Sequence, residues 1–179
     1  MAHTGQVIDN PVTGETVTIL RSSRETDGAI VELAFEVTPG GGPPVAHVHP
    51  RQTETFEIHE GRCRLMVDGN EREVGPGEVV VVPPGVAHFW EAITDVRMSG
   101  TLEPALAADE FFEDLFALVN AGCANDKGMP TPLHFAVLAD DHRDVVYLAD
   151  RPVWLQRASF ALLAKLGRAL GRGPATVHA

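Results

Sequence analysis

Two cysteines, Cys63 and Cys123, are all that this chain of 179 residues contains, so a disulfide framework and a four-cysteine zinc site are both excluded. No apolar run approaches the roughly 18–20 residues that a membrane span needs. The opening stretch, Met1 to Gln6, has neither the charged start nor the apolar core of a signal peptide. Positive charge is scarce. Fourteen Lys and Arg stand against 25 Asp and Glu, a net charge of −11, which disfavours nucleic acid, whose phosphates call for a basic surface. Hydrophobic residues make up 44% and charged residues 22%, a globular composition that excludes wholesale disorder. The expectation is a soluble cytoplasmic protein with no nucleic-acid or membrane partner, of a length that suits one compact domain plus a helical extension.

Two periodicities divide the chain. From about Val7 to Glu103 the pattern is that of short strands. Val31, Leu33, Phe35 and Val37 alternate with Glu32 and Glu36, the period of a half-buried strand. Thr16–Leu20, Glu54–His59, Arg62–Val67 and Val96–Leu102 read the same way, and Val79–Val82 reads as a strand covered on both faces. Gly- and Pro-rich turns separate the runs. Many short strands at regular spacing indicate an all-β core, a sandwich or barrel over residues 1–104. After Pro104 the period becomes helical. One helix is expected over Ala108–Asn120 with Gly122 as its stop. A second starts at Thr131-Pro132 and runs to about Arg143. A third is capped by Asp150 and carries Leu155, Ser159, Leu162, Leu163, Leu166 and Leu170 on one face.

One constellation carries chemistry. His47 and His49 are two apart, so on extended chain both imidazoles point to one face. Glu54 shares the inward face with Phe56 and Ile58, where a lone carboxylate is costly to bury and needs a compensating cation. His88 follows the tight Pro83-Pro84-Gly85 turn, which can return the chain beside the first strand. Three imidazoles and one carboxylate suit one divalent transition metal (Fe, Mn, Ni, Cu, Co or Zn) rather than Ca or Mg. Glu57 and His59 have the outward parity. His3, His134, His142 and His178 lie away from the constellation.

The spacing Gly41-x5-His47-x-His49-x4-Glu54-x6-Gly61, followed by Gly77-x5-Pro83-Pro84-Gly85-x2-His88, resembles the two signature motifs of the cupin superfamily, with Ala92 where the second motif often ends in Asn. Together with Asn10-Pro11-Val12-Thr13-Gly14-Glu15 and Lys127-Gly128-Met129-Pro130, the whole chain resembles bacterial single-domain cupins of the conserved-barrel type. The resemblance implies a jelly-roll β-barrel with His47, His49, Glu54 and His88 as metal ligands on its inner wall. It implies no single reaction, since that fold hosts many.

The inward parity gathers Val31, Leu33, Phe35, Val37, Phe56, Ile58, Cys63, Leu65, Val67, Trp90, Met98 and Leu102, with no Arg or Lys. Phe35, Phe56, Cys63, Leu65, Trp90 and Met98 are the candidate pocket residues, Trp90 as a cover for the metal, and Arg51 is placed to guard the mouth. Such a pocket suits a neutral apolar or aromatic metabolite rather than a phosphate or dicarboxylate. The leading expectation is a metal-dependent, dioxygenase-like enzyme, and the resemblance to flavonol-cleaving cupins allows Glu54 a role as base. A non-catalytic binding or sensing module and a metal-dependent isomerase or cyclase are the alternatives.

The tail from Arg151 onward carries five positive residues and no acid, leaving nine positives against 25 acids, net −16, on the rest of the chain. This tail, the end of the 105–179 extension, is therefore expected to dock on its own acidic body, near Asp109–Asp114, or on a second subunit. Its leucine stripe would cover the barrel or form a homodimer interface, and Trp154 would pack at the start of the third helix.

Overall fold

The computed structural model describes residues 1–174; His178 and its neighbours from 175 onward lie outside the described residues. The elements run in the order β1 (Val7–Asn10), β2 (Glu15–Arg21), β3 (Val31–Val37), β4 (His47–Val48), β5 (Thr53–Glu60), β6 (Cys63–Val67), β7 (Asn70–Val74), β8 (Val79–Val82), β9 (His88–Ala92) and β10 (Val96–Glu103). The helical part follows with α1 (Ala108–Asn120), α2 (Pro132–Asp141), β11 (Tyr147–Leu148) and α3 (Val153–Ala169). One sheet has the strand order β1-β2-β3-β10-β5-β8 and the other β11-β4-β9-β6-β7. The core is a mostly β double sheet with a helical C-terminal region.

Alternation explains the packing. Val31, Leu33, Phe35 and Val37 of β3 are buried, and so are Phe56 and Ile58 of β5 and Met98 and Leu102 of β10. Each fully buried side chain of this size contributes about 1.5–3 kcal/mol. In β10, Met98 faces Phe35 on one side and Ile58 on the other. Between Arg97 and Met98 the register with β5 slips, Arg97 facing Glu60 and Met98 facing Ile58. His59 is the residue the slip passes over, and it stays outside with Ser99 as its partner. A Cβ at Gly100 would stand 2.9 Å from the Phe35 ring, so only glycine lets that ring lie flat on the sheet.

Several sequence expectations differ from the structure. β8 is an edge strand covered on one face: Val80 and Val82 are buried, whereas Val79 and Val81 are each 56% exposed. The extension is no mere appendage to residues 1–104. β11 joins the second sheet, Tyr147 facing Val48 and Leu148 facing His47, while Phe111, Phe116 and Leu118 of α1 enter the common core. Gln52 ties the two parts, its side-chain amide donating to the carbonyls of Pro104 and Ala105, each at 2.9 Å.

α3 turns a different face inward from the one expected. Gln156, Ala164 and Gly167 are its buried residues, and it packs on α2. Small residues permit that approach: a Cβ at Gly167 would come 2.7 Å from Val137. Leu155, Leu162, Leu163, Leu166 and Leu170 are exposed, and Trp154 is 71% exposed rather than packed. The stripe therefore does not cover the barrel. The basic helix docks on other acids than Asp109–Asp114: Arg168 reaches Asp140 at 2.9 Å and also Asp141, and Arg157 pairs with Asp144. Asp109 accepts the backbone N–H of Ser23 at 2.9 Å, and Asp114 meets His142 at 2.7 Å. Nor does Asp150 cap α3; Pro152 holds the cap position, and Asp150 lies against Arg151.

Candidate metal centre

The four motif residues converge from three strands and a loop. β4 presents His47, the chain just beyond it His49, β9 His88 and β5 Glu54, so two imidazoles come from one sheet, the third from the loop that leaves it, and the carboxylate from the other sheet. His47 and His88 face each other directly in the β4–β9 pairing. One ligand atom from each of the four residues falls within 4.8 Å of all the others. The ring centroids lie 4.3 Å apart for His47–His88, 5.1 Å for His47–His49 and 5.3 Å for His49–His88.

The outer side of each ring is already engaged. Nδ1 of His47 lies 3.2 Å from the carbonyl of Val45, Nδ1 of His49 2.5 Å from that of Val145, and Nδ1 of His88 3.0 Å from that of Val86. A carbonyl can only accept, so each Nδ1 carries the proton and each Nε2 offers a lone pair. The Nε2 atoms of His49 and His88 and the Glu54 carboxylate Oε2 are buried without a hydrogen-bond partner among the described residues. Oε2 nevertheless lies 2.7 Å from Nε2 of His88 and 3.4 Å from Nε2 of His49. Lone pairs brought so close repel unless a proton or a metal cation lies between them. The donor set, three neutral nitrogens and one carboxylate oxygen, fits a divalent transition metal.

The electrostatics follow from this crowding. Burial alone would push Glu54 up, but the closeness of the His49 and His88 rings outweighs it and holds the carboxyl well below the ordinary range. His47 keeps some exposure toward the cavity, yet removal from bulk water and the neighbouring imidazoles lower it to about 3. Burial works against protonation of His88, and its contact with Glu54 reverses the balance and raises it. The cluster therefore holds its carboxylate ionised and His47 neutral, and it favours a positive charge at the Glu54–His88 contact, a proton that a metal would displace on binding.

Beside the cluster opens a cavity of about 90 Å³. Phe35, Phe56 and Trp90 line it. Trp90 lines the same cavity as His47, His49 and Glu54. It meets Phe35 and Phe56 edge-on at 6.3 Å each, and with Phe56 it also lines a separate small void. Cys63, Leu65 and Met98 line that void and not the metal-side cavity. Burial pushes the Cys63 thiol up to about 11, which makes it a poor nucleophile at neutral pH. Arg51 stays outside, 3.3 Å from Asp144. His134 lies on α2 against Thr131, and His3 is exposed.

The helical extension supplies much of the wall: Phe111, Phe112, Leu115, Phe116, Met129, Phe135 and Val145. Their helical period marked them as apolar but not as cavity residues, because nothing local in sequence tells a core contact from a cavity contact. Asn10 and Glu15 also line the cavity. A strand begun at Thr16 omits Glu15, although Glu15, Val17 and Ile19 form one inward row.

Residues 33–101 match the family model described as Cupin domain. The chain is 32% identical over 109 residues to quercetin 2,3-dioxygenase of Bacillus subtilis (strain 168), covering 60% of this chain and 32% of that protein. It is 31% identical over 71 residues to the uncharacterized protein MJ1618 of Methanocaldococcus jannaschii, covering 40% of this chain and 57% of that protein. It thus spans less than two thirds of the length of these curated relatives. A solved structure of an RmlC-like cupin from Shewanella frigidimarina NCIMB 400 aligns with a TM-score of 0.49 at 22% identity, covering 56% of this chain and 85% of that chain.

Proposed function

Because this chain is a cupin, its family domain lying at residues 33–101, we propose that it is a metal-dependent, dioxygenase-like enzyme acting on a small apolar or aromatic metabolite. The observation that carries the reading is the juxtaposition of the three-imidazole, one-carboxylate cluster with a cavity lined by Phe35, Phe56, Trp90, Phe111, Phe112 and Phe116. No Lys or Arg is among the described residues lining it, so an anionic group on the substrate has no partner there. The partial likeness to quercetin 2,3-dioxygenase supports the same choice and makes flavonols the first substrates to try.

His47, His49, Glu54 and His88 would hold the metal, which when bound lowers the pKa of a substrate hydroxyl and brings it beside O₂. Glu54 is the base of the proposal: released from the metal, its carboxylate would take the hydroxyl proton of the substrate. The aromatic rings orient a flat substrate by edge and face contacts and exclude water from the reacting atoms. The three backbone carbonyls at Val45, Val86 and Val145 keep the imidazoles turned inward throughout.

The test is oxygen uptake with a panel of flavonols and simpler phenols, using protein loaded in turn with Fe, Mn, Ni, Co and Cu, beside His49→Ala. Substrate-dependent uptake that vanishes in the variant supports the reading. Turnover that persists without O₂ would replace it with an isomerase or cyclase, and ligand-induced thermal stabilisation without turnover would replace it with a binding module.

The same reading places the protein in the cytoplasm, as a homodimer joined through α3. With Arg157 and Arg168 already paired to Asp144, Asp140 and Asp141, the outward side of α3 is chiefly leucine, which a second copy would cover. No helix of the described residues is long and apolar enough to cross a membrane.

A further inference from the structure

The cavity has a second polar place. Glu15 is only 6% exposed and Asn10 only 2%, and both line the cavity that holds the imidazole cluster. They belong to the turn between β1 and β2, where the side-chain oxygen of Asn10 accepts the backbone N–H groups of Val12 at 3.1 Å and Thr13 at 3.2 Å. That fixes the Asn10 side chain and leaves its NH₂ as the uncommitted end, with no partner among the described residues. Glu15 receives one hydrogen bond, from the Thr13 hydroxyl to Oε2 at 2.5 Å, its only side-chain partner among the described residues. Gly128 completes the wall. A Cβ there would meet Thr13 at 2.7 Å and the Asn10 amide nitrogen at 3.7 Å, so a side chain at that position would fill the space beside the two polar groups.

The position of this pair relative to the metal cluster follows from strand register. Glu15 faces Val37, the last residue of β3. Glu54 faces Leu102, which faces Val31, the first residue of β3. The two carboxyl groups therefore belong to rows at opposite ends of β3, with aromatic wall between them.

Building on the reading of this cavity as the substrate site, we infer that Asn10 and Glu15 form a second subsite, remote from the metal cluster, that takes a neutral hydroxyl group of the ligand. A hydroxyl both donates and accepts, and the pair offers both an N–H donor and a carboxyl acceptor. Burial pushes Glu15 up to about 7, against the lowering effect of the Thr13 hydrogen bond, so near neutrality the group also supplies an O–H. An anionic ligand end would meet no cation here. The substrate class narrows accordingly to an elongated, mostly apolar molecule with an oxygen function at each end, one for the metal and one for Asn10 and Glu15.

The experiment titrates phenol, toluene and benzylamine separately into the full chain. It follows the side-chain amide signals of Asn10 and the ring signals of His47 and His88 by NMR, in wild type, Glu15→Gln and Glu15→Leu. A dry apolar cavity prefers toluene, because a buried hydroxyl without a partner is penalised. Wild type is expected to reverse that order, binding phenol about three- to tenfold more tightly than toluene, the worth of one net hydrogen bond, with the Asn10 signals moving. Glu15→Gln keeps donor and acceptor and keeps the order; Glu15→Leu restores preference for toluene. Three results overturn the inference: Asn10 signals that do not respond to phenol, a phenol preference that survives Glu15→Leu, or tighter binding of benzylamine, which would make the subsite cationic. These outcomes are separate from those of the oxygen-uptake test, since phenol recognition here needs neither metal nor turnover.

Discussion

His49 and Val145 meet across 96 residues of sequence: the imidazole Nδ1–H of one points at the backbone carbonyl of the other, 2.5 Å away. The cluster is thus oriented from outside the motif that supplies it. Val145 follows Asp144, whose left-handed backbone (φ 71°) is pinned by Arg51 and Arg157. Outer partners of ligating histidines typically alter metal affinity when removed. Asp144→Asn is therefore expected to weaken metal binding by up to about tenfold, while the melting temperature of the metal-free protein hardly changes. Competition against a chromophoric chelator measures the first and calorimetry the second; an unchanged affinity would show that the carbonyl holds its place without the two arginines.

Metal removal should cost stability, because the inward lone pairs of His49, His88 and Glu54 then face each other without a bridging cation. At free metal a thousandfold above its dissociation constant, bound metal stabilises the fold by about 4 kcal/mol. Chelation is expected to lower the melting temperature of wild type and to leave the His47→Ala/His49→Ala double variant unmoved. Metal content by mass spectrometry, about one ion per chain in wild type and none in the double variant, accompanies the thermal scan.

Glu15 gives a pH prediction. Its folded value, raised by burial from 4.5 to about 7, means that the folded chain keeps a proton that the unfolded chain has released. This contribution to stability is complete below about pH 4.5 and declines as pH rises toward 7. Denaturant titrations from pH 5 to 8 should show wild type losing at most about 3 kcal/mol relative to Glu15→Gln across that window. Parallel pH profiles in the two proteins would assign the dependence to other groups.

Gly100→Ala is expected to destabilise by about 1–3 kcal/mol, because the new methyl would lie 2.9 Å from the Phe35 ring and force it off the sheet. Since Phe35 also lines the cavity, flavonol binding should weaken in the same variant. A stability equal to wild type would mean that the ring can move aside at no cost.

Leu162→Glu/Leu166→Glu tests the α3 face. Both leucines are exposed, so the fold should lose no more than about 0.5 kcal/mol per site, while light scattering should change from dimer to monomer. A monomeric wild type ends the homodimer reading at once.

The gathering of His47, His49, Glu54 and His88 was legible in sequence because its spacing is local to two turns, and parity placed Glu54 inward beside Phe56 and Ile58. The α1 boundaries follow equally from periodicity and the stop at Gly122. What could not be read is set by contacts between distant segments. The leucine stripe on α3 obeyed the same amphipathic rule as α1, yet the helix buried Gln156, Ala164 and Gly167. There, close approach to α2 and the hydrogen bonds of Gln156 to the carbonyls of Leu148 and Arg151 outweighed leucine burial. β11, two residues long, has no period at all, and only its partner β4 makes it a strand. Separating the wall of one cavity from that of another, as for Cys63 and Phe35, required the position of the Trp90 ring.

That short strand also fixes an order of events. β11 lies beside β4, and Leu148 faces His47, so the edge against which the first ligand rests is made long after the ligand itself. During synthesis, the nascent chain can pair β5 with β10 once Glu103 has emerged, yet the seat of His49 waits for Val145. Such long-range closure is slow relative to local structure. Metal capture is therefore expected as a late event in the chain's maturation, after the helices have folded back, so that an unfinished polypeptide leaving the ribosome holds its imidazoles only loosely oriented.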